Sequence, residues 1–285
     1  MRIGVIGGSG LYEIDGLTNI REQRLETPFG SPSDAFILGE LCGVEMAFLP
    51  RHGRGHVHNP SEVPYRANVW GMKKLGVGWI VSVSAVGSLQ HEVAPGDMVV
   101  IDQFIDRTKS SRPVTFFEKG IVGHVGFADP VCGALRSMIL SACEEVGATT
   151  HDGGTYVCME GPQFSTRAES ELYRSWGARV IGMTNLTEAK LAREAEISYA
   201  TLAMSTDYDC WHPHHDDVTV EDIIRVLMAN VATAKAVIEA VAPKIAAFDG
   251  PPPASGCMAN AIMTDRARIP PETRAAVEIL VGKYL

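Results

Sequence analysis

An α/β fold, with a central sheet covered by helices, is the architecture this sequence predicts, and three observations predict it. Short apolar runs of strand length alternate with stretches of helical period. Several of those runs end in glycine, serine or aspartate, the chemistry that open α/β sheets place at the carboxyl ends of their strands. The chain has 285 residues, 46% hydrophobic and 21% charged, enough to bury a substantial core, although length alone leaves one large domain or two small ones open.

Taken in order, the expected strands are 2–6, 46–49, 79–85, 98–101, 155–159, 179–183 and 198–205. Tyr65 to Leu75 reads as a helix closed by Gly76, and Pro130 to Val146 as one closed by Gly147, because glycine enters the left-handed cap conformation cheaply. The clearest helix is 220–241. Its apolar residues, from Val220, Ile223 and Ile224 through Leu227 and Met228 to Val237, Ile238 and Val241, recur at three- and four-residue steps as one buried stripe. Thr219 is placed to cap it. After Phe248 the sequence turns to a Pro- and Gly-rich connector, which divides the chain into a domain over 1–247 and an extension over 248–285. Pro271 to Leu285 reads as a short amphipathic helix within that extension.

Composition excludes several classes. A net charge of -9 argues against a nucleic-acid binder, which draws on clustered Lys and Arg. A membrane span is not expected, since no run of about 18 apolar residues is uninterrupted. The six cysteines, Cys42, Cys132, Cys143, Cys158, Cys210 and Cys257, lack any Cys-x-x-Cys spacing; they read as reduced thiols of a cytoplasmic protein, and no metal site is expected.

Five segments carry chemistry. Gly7-Gly8-Ser9-Gly10 follows the first strand and offers backbone N–H groups and a hydroxyl to an anion, or a tight turn and nothing more. It has neither the spacing of a dinucleotide fingerprint nor a Gly-Lys-Ser/Thr ending. Arg51 and His52 open a loop that also holds Arg54 and His56; it is either a solvated basic turn or a clamp in which the Arg fork meets phosphate oxygens. Ser84, Ala85 and Gly87 end an apolar strand, with no Gly-x-Ser-x-Gly elbow to make Ser84 a nucleophile. In Glu160-Gly161-Pro162-Gln163-Phe164, the Phe164 ring suits the face of a base or the core, and Ser165 or Thr166 can cap a following helix. Asp207 and Asp209 lie two apart after a strand, so in extended chain they point the same way, toward one ligand edge or into a cap or solvated loop. A protonated carboxyl donates to a ring nitrogen and an ionised one accepts from an exocyclic amine, which suits adenine.

In this order, the five segments resemble the methylthioadenosine phosphorylases of the trimeric nucleoside phosphorylase family, over about residues 2 to 240. The resemblance implies a mixed central sheet in a single domain of the nucleoside phosphorylase type. It implies phosphorolysis of 5'-methylthioadenosine, with inorganic phosphate as co-substrate and no cofactor or metal. It places Ser9, Arg51, His52, Ser84, Ala85 and Thr184 around phosphate, Phe164 against the purine, Met183 against the ribose, and Asp207 and Asp209 along the base, with Asp207 the proton donor. Val220 and Ile224 would form an apolar slot for the methylthio group, and His124 would arrive from a neighbouring subunit of a homotrimer. Departures from the family wording are Gly182 for Asn, Gln163 for Arg, Asn185-Leu186-Thr187-Glu188 for a Pro-containing turn, and Ser9 and Ser84 for Thr. The alternative within the enzyme class is a phosphorylase for 6-oxopurine nucleosides or methylthioinosine; a hydrolytic nucleosidase would not need Arg51 and His52, and a sensor would not need a proton donor.

Overall fold

The structure, a computed structural model, describes residues 2–8, 10, 11, 13–109, 112–213 and 220–285, with 220–224 described by backbone alone. Its centre is a parallel trio of strands: β1 (Arg2–Gly7), β5 (Val77–Ser88) and β11 (Ser198–Asp207), with β5 in the middle. These strands are buried along nearly their whole length because both faces of the sheet are covered. Along β5, Trp79, Val81 and Val83 enter one core cluster, with Ile3, Val5, Leu202 and Met204, while Ile80 enters the opposite one with Ile6 and Tyr199. That is the period of two that a pleated strand imposes.

Beyond β1 the sheet continues through β4 (Val44–Pro50), β3 (Phe36–Leu41) and the edge strand β2 (Thr18–Gln23). Past the far end of β5 it continues through β10 (Val180–Gly182), β9 (Thr155–Met159) and β7 (Gln103–Arg107), while β11 pairs with β6 (Met98–Val100) and β6 with β8 (Thr150–Asp152). The sheet is mixed: β3 runs antiparallel to β4, β10 to β5 and β6 to β11. On one face pack α2 (Gly133–Glu145) and α5 (Val220–Ala246), through Leu135, Ile139, Val237 and Val241. On the other pack α1 (Tyr65–Lys74), α4 (Asn185–Glu194) and α6 (Pro271–Val281), through Val69, Met72, Ala189, Leu191, Val277 and Leu280. The remaining helix, α3 (Arg167–Ser175), begins at Thr166 with a capping box to Glu169.

All seven expected strands form, and Gly76 and Gly147 follow α1 and α2 with φ of 76° and 71°. Helix α2 starts at Gly133, later than Pro130. Helix α5 runs past Val241 and through Pro243. Its expected stripe is corrected: Ala234, Val237, Ile238 and Val241 are buried, but Leu227 and Met228 are exposed, at 36% and 69%, because the start of the helix is not packed on the sheet there. Thr219 lies outside the described residues. Helix α5 is also the one described helix apolar and long enough to cross a membrane; one face of its second half, through Ala234, Val237, Ile238 and Val241, packs in the core. Residues 248–285 wrap the amino end of β11, where Ala254 N–H donates to Ser198 Oγ at 3.1 Å and Met258 N–H to Glu196 Oε1 at 3.1 Å.

Candidate functional site

The site is set by how β5 is shared. Strand β11 follows one edge of β5 from Trp79 to Gly87. On the other edge β1 pairs only as far as Ser82, and β10 joins only at Gly87. Between them, residues 83–86 have no strand partner on that edge among the described residues, and the ends of β1, β4, β10 and β11 surround the gap. Ser84 and Ala85 lie in it, Ala85 exposed. Arg51 follows β4 directly, its N–H donating to Gly7 O at 2.8 Å. Because β10 is antiparallel to β5, Met183 and Thr184 come back alongside Ala85 and Ser84, and Asp207 ends β11 opposite Gly87. The structure thus brings Arg51, Ser84, Ala85, Met183, Thr184 and Asp207 to one place, although they are spread over more than half of the sequence.

The Arg51 side chain is 3% exposed and differs from expectation in one respect. Its fork is not open. Nε donates to Glu188 Oε1, and Nη2 donates to Glu188 Oε2 at 3.1 Å, Ser82 Oγ at 2.7 Å and Ile6 O at 3.4 Å. Nη1 donates to Val83 O at 3.0 Å, so its second hydrogen is the one left without a partner among the described residues. Burial works against the charge, yet the Glu188 carboxylate outweighs it and raises the Arg51 pKa.

His52 is held at Nδ1, 2.9 Å from His58 O, and its ring stacks on His56 with centroids 4.3 Å apart. A carbonyl only accepts, so Nδ1 carries the proton. Burial, followed by the Arg51 charge, lowers its pKa to about 4. His52 is therefore neutral at pH 7, with Nε2 its open nitrogen.

Asp207 Oδ1 accepts from Asp209 N–H at 2.8 Å and Oδ2 from Thr206 Oγ at 2.8 Å. The expected parallel pair of carboxylates is not found. The strand stops at Asp207, Asp209 takes a φ of 52° in a 3-10 turn, and its buried carboxylate Oδ2 accepts from Ser170 Oγ on α3 at 2.5 Å. Asp209 holds Asp207 through its backbone. A side chain at Gly87 would stand 3.2 Å from Asp207 Oδ1 and 3.3 Å from Asp209 Cβ, so glycine there lets the carboxylate lie over β5.

Phe164 is 82% exposed, which removes the core alternative for it. The turn that carries it is fixed by Arg112, whose buried guanidinium donates to Glu160 O, to Met183 O and, at 3.1 Å, to Glu160 Oε1. Gly182, where the family wording has Asn, is explained by packing: a Cβ there would lie 2.0 Å from Tyr156 Oη. His124 is not near its own chain's gap. Its N–H donates to Ala261 O at 2.8 Å within the extension, at the amino end of β11; the strand's 10 residues span about 30 Å to Asp207. Ser9 lies outside the described residues, as do the side chains of Val220 and Ile224. Glu188, Asn185, Tyr199, Tyr156 and Arg112 were missed by sequence reasoning. For Tyr156 and Tyr199 the available signal was a polar group inside an otherwise apolar strand; Arg112, Asn185 and Glu188 stand among other polar residues and carry no such signal. Among the described residues no cluster of His, Cys, Asp or Glu is placed to hold a metal, and the six cysteines are free.

A gap at strand ends, with the Arg51–His52 loop on one side and the Asp207 carboxyl over Gly87 on the other, is the arrangement of a nucleoside phosphorylase-type α/β enzyme. Comparison agrees. The phosphorylase superfamily matches residues 2–243. The chain is 58% identical to S-methyl-5'-thioadenosine phosphorylase of Geobacter sulfurreducens, covering 99% of each chain, and 56% identical to that of Thermosynechococcus vestitus, covering 100% of this chain and 99% of the relative. A methylthioadenosine phosphorylase from an antarctic soil metagenomic library superposes with a TM-score of 0.94 at 50% identity over 98% of each chain. The Schistosoma mansoni methylthioadenosine phosphorylase in complex with adenine gives 0.82 at 35% identity, over 87% of this chain and 93% of that one. The chain belongs to the phosphorylase superfamily and, within it, to the S-methyl-5'-thioadenosine phosphorylases.

Proposed function

We propose that the chain catalyses phosphorolysis of 5'-methylthioadenosine to adenine and 5-methylthioribose 1-phosphate. The observation that carries this reading is the convergence of Arg51, Ser84, Ala85, Thr184, Met183 and Asp207 on the open edge of β5. Phosphate takes the Ser84 and Thr184 hydroxyls, the Ala85 backbone, the free Nη1 hydrogen of Arg51 and Ser9, while the neutral His52 accepts at Nε2 from the hydroxyl of hydrogenphosphate. Met183 lies under the ribose, Phe164 covers the purine, and Val220 and Ile224 line the methylthio slot. Holding two reactants in line replaces a bimolecular encounter with a positioned one.

The C–N bond to the base loosens, and its electron pair goes to the purine. Asp207 gives a proton to the imidazole ring, so that adenine leaves neutral. A phosphate oxygen bonds to the anomeric carbon, and the proton that hydrogenphosphate releases balances the one adenine has taken up. Asp209 serves the base edge through Asp207, which its N–H orients. In this reading phosphate is a co-substrate and no cofactor or metal takes part.

We place His124 in the site of a neighbouring subunit of a homotrimer, because its own site lies at the other end of the sheet. Residues 1–247 form the catalytic domain, and 248–285 close its reverse end. Six free thiols support a cytoplasmic location, and the net charge of -9 supports small-molecule rather than nucleic-acid partners. The deciding assay follows base release from methylthioadenosine, inosine and methylthioinosine, with and without phosphate. Adenine release that requires phosphate is expected. Release without phosphate would identify a hydrolase, and faster hypoxanthine release would favour the 6-oxopurine reading.

A further inference from the structure

Behind the anion side of the gap lies a closed, buried hydrogen-bond network. Glu188 is 2% exposed. Besides both Arg51 bonds, its Oε2 accepts from Ser82 Oγ at 2.8 Å and Tyr199 Oη at 3.0 Å. Ser82 Oγ accepts in turn from Asn185 Nδ2 at 3.1 Å, whose other bond goes to Thr201 Oγ at 2.9 Å. Asn185 Oδ1 accepts from Thr184 Oγ at 3.1 Å. The chain of contacts therefore runs from Arg51 to Thr184, the two ends of the proposed phosphate site.

A buried ion pair is costly to desolvate, and packed apolar residues of similar volume often match or exceed its stability. Its retention here calls for a role beyond holding the fold, and geometry supplies one. The pair fixes the Nε and Nη2 edge of a guanidinium that has three further acceptors in Ser82, Val83 and Ile6. Only the second hydrogen of Nη1 stays without a partner among the described residues.

We propose that Glu188 is a positioning residue for phosphate, orienting Arg51 so that Nη1, beside Val83 and next to Ser84, is the end offered to the anion. This rests on the reading of Arg51 as a phosphate ligand. Glu188 also offsets the Arg51 charge, so the anion is held by directed hydrogen bonds more than by net attraction. A neutral amide at 188 cannot reproduce two acceptors facing two donors, since one end of it is itself a donor.

Steady-state kinetics on the intact enzyme test this, with phosphate varied at saturating methylthioadenosine and the reverse. Glu188→Gln is expected to raise KM for phosphate about tenfold, the loss of one oriented charge-assisted bond, and to leave KM for the nucleoside within about twofold. In an Arg51→Lys background, which already lacks the fork, Glu188→Gln should add little. Tyr199→Phe, a milder change that removes one donor to Glu188, should move the same KM in the same direction if Glu188→Gln does not fold. An equal rise in both KM values, or an undiminished effect in the Arg51→Lys background, overturns the proposal. If Arg51→Lys alone leaves KM for phosphate unchanged, the phosphate reading of Arg51 fails first.

Discussion

Glu194 is 8% exposed at the end of α4, far along the helix from Glu188, and its chemistry yields a measurable prediction. Its carboxyl accepts from Phe116 N–H at 2.7 Å and from Thr115 Oγ at 2.7 Å, which anchors the segment following Arg112. Burial raises its pKa from 4.5 to about 7, against the pull of those two bonds and of Lys190. The folded chain thus binds a proton that the unfolded chain has released between about pH 4.5 and 7. Stability from this group is full below the unfolded pKa and is lost as pH rises through the folded one. At about 1.4 kcal/mol per pKa unit, a 2.5-unit rise corresponds to roughly 3 kcal/mol, a large share of a typical total of roughly 5–15 kcal/mol. Glu194→Gln keeps one acceptor and carries no charge at any pH. Urea unfolding at pH 5 and pH 8.5, at fixed subunit concentration, should show the variant gaining about 2–3 kcal/mol on the parent between the two conditions. A difference between variant and parent that is the same at both pH values would refute the reasoning, because the carboxyl would then be ionised throughout.

Three further outcomes are expected. Asp207→Asn should lower kcat by about a hundredfold or more with little change in KM, since a proton donor acts in the transition state; near-normal adenine release would remove Asp207 from that role. Gly182→Ala should destabilise the fold by about 1–3 kcal/mol, because the added methyl meets Tyr156 Oη at 2.0 Å, and Tyr156→Phe in the same chain should restore part of the loss in a thermal melt. His52, held down to about 4 by burial and Arg51, contributes stability above its unfolded pKa of roughly 6.5, and that contribution falls away as pH drops from there through 4. His52→Asn should flatten this limb of the stability–pH profile, and an unchanged limb would show that the imidazole is not held neutral.

The sheet was legible because its central strands hold short apolar runs and stop at glycine, serine or aspartate. What escaped had no such signature. Strand β2 is exposed along nearly its whole length, so its side chains carry no alternation. Helix α3, whose start after Thr166 was expected from its capping residue, buries only Ser170 and Tyr173, so no stripe marked its extent. Helix α4 buries Asn185, Thr187, Glu188 and Glu194 among its apolar residues, and those polar positions erase the stripe by which a helix is read.

The same residues explain why the site was half legible. Side chains that meet a ligand stand in loops beside glycine and strand ends, where local spacing points to them, as with Arg51, Ser84 and Asp207. Those that hold the ligand-facing groups come from elements distant in sequence, and no spacing marks the contact: Glu188 lies 137 residues from Arg51, and Ser170 lies 39 from Asp209. Residue spacing brings two side chains together only in a given backbone conformation. The Asp207 and Asp209 pairing required an extended chain, and the chain turns after Asp207, so one carboxylate faces the gap while the other is bound to α3. In such a site each buried charged or amide residue on a covered helix is a candidate partner for a charged residue at a strand end. Burial without a partner costs too much for the fold to keep it there.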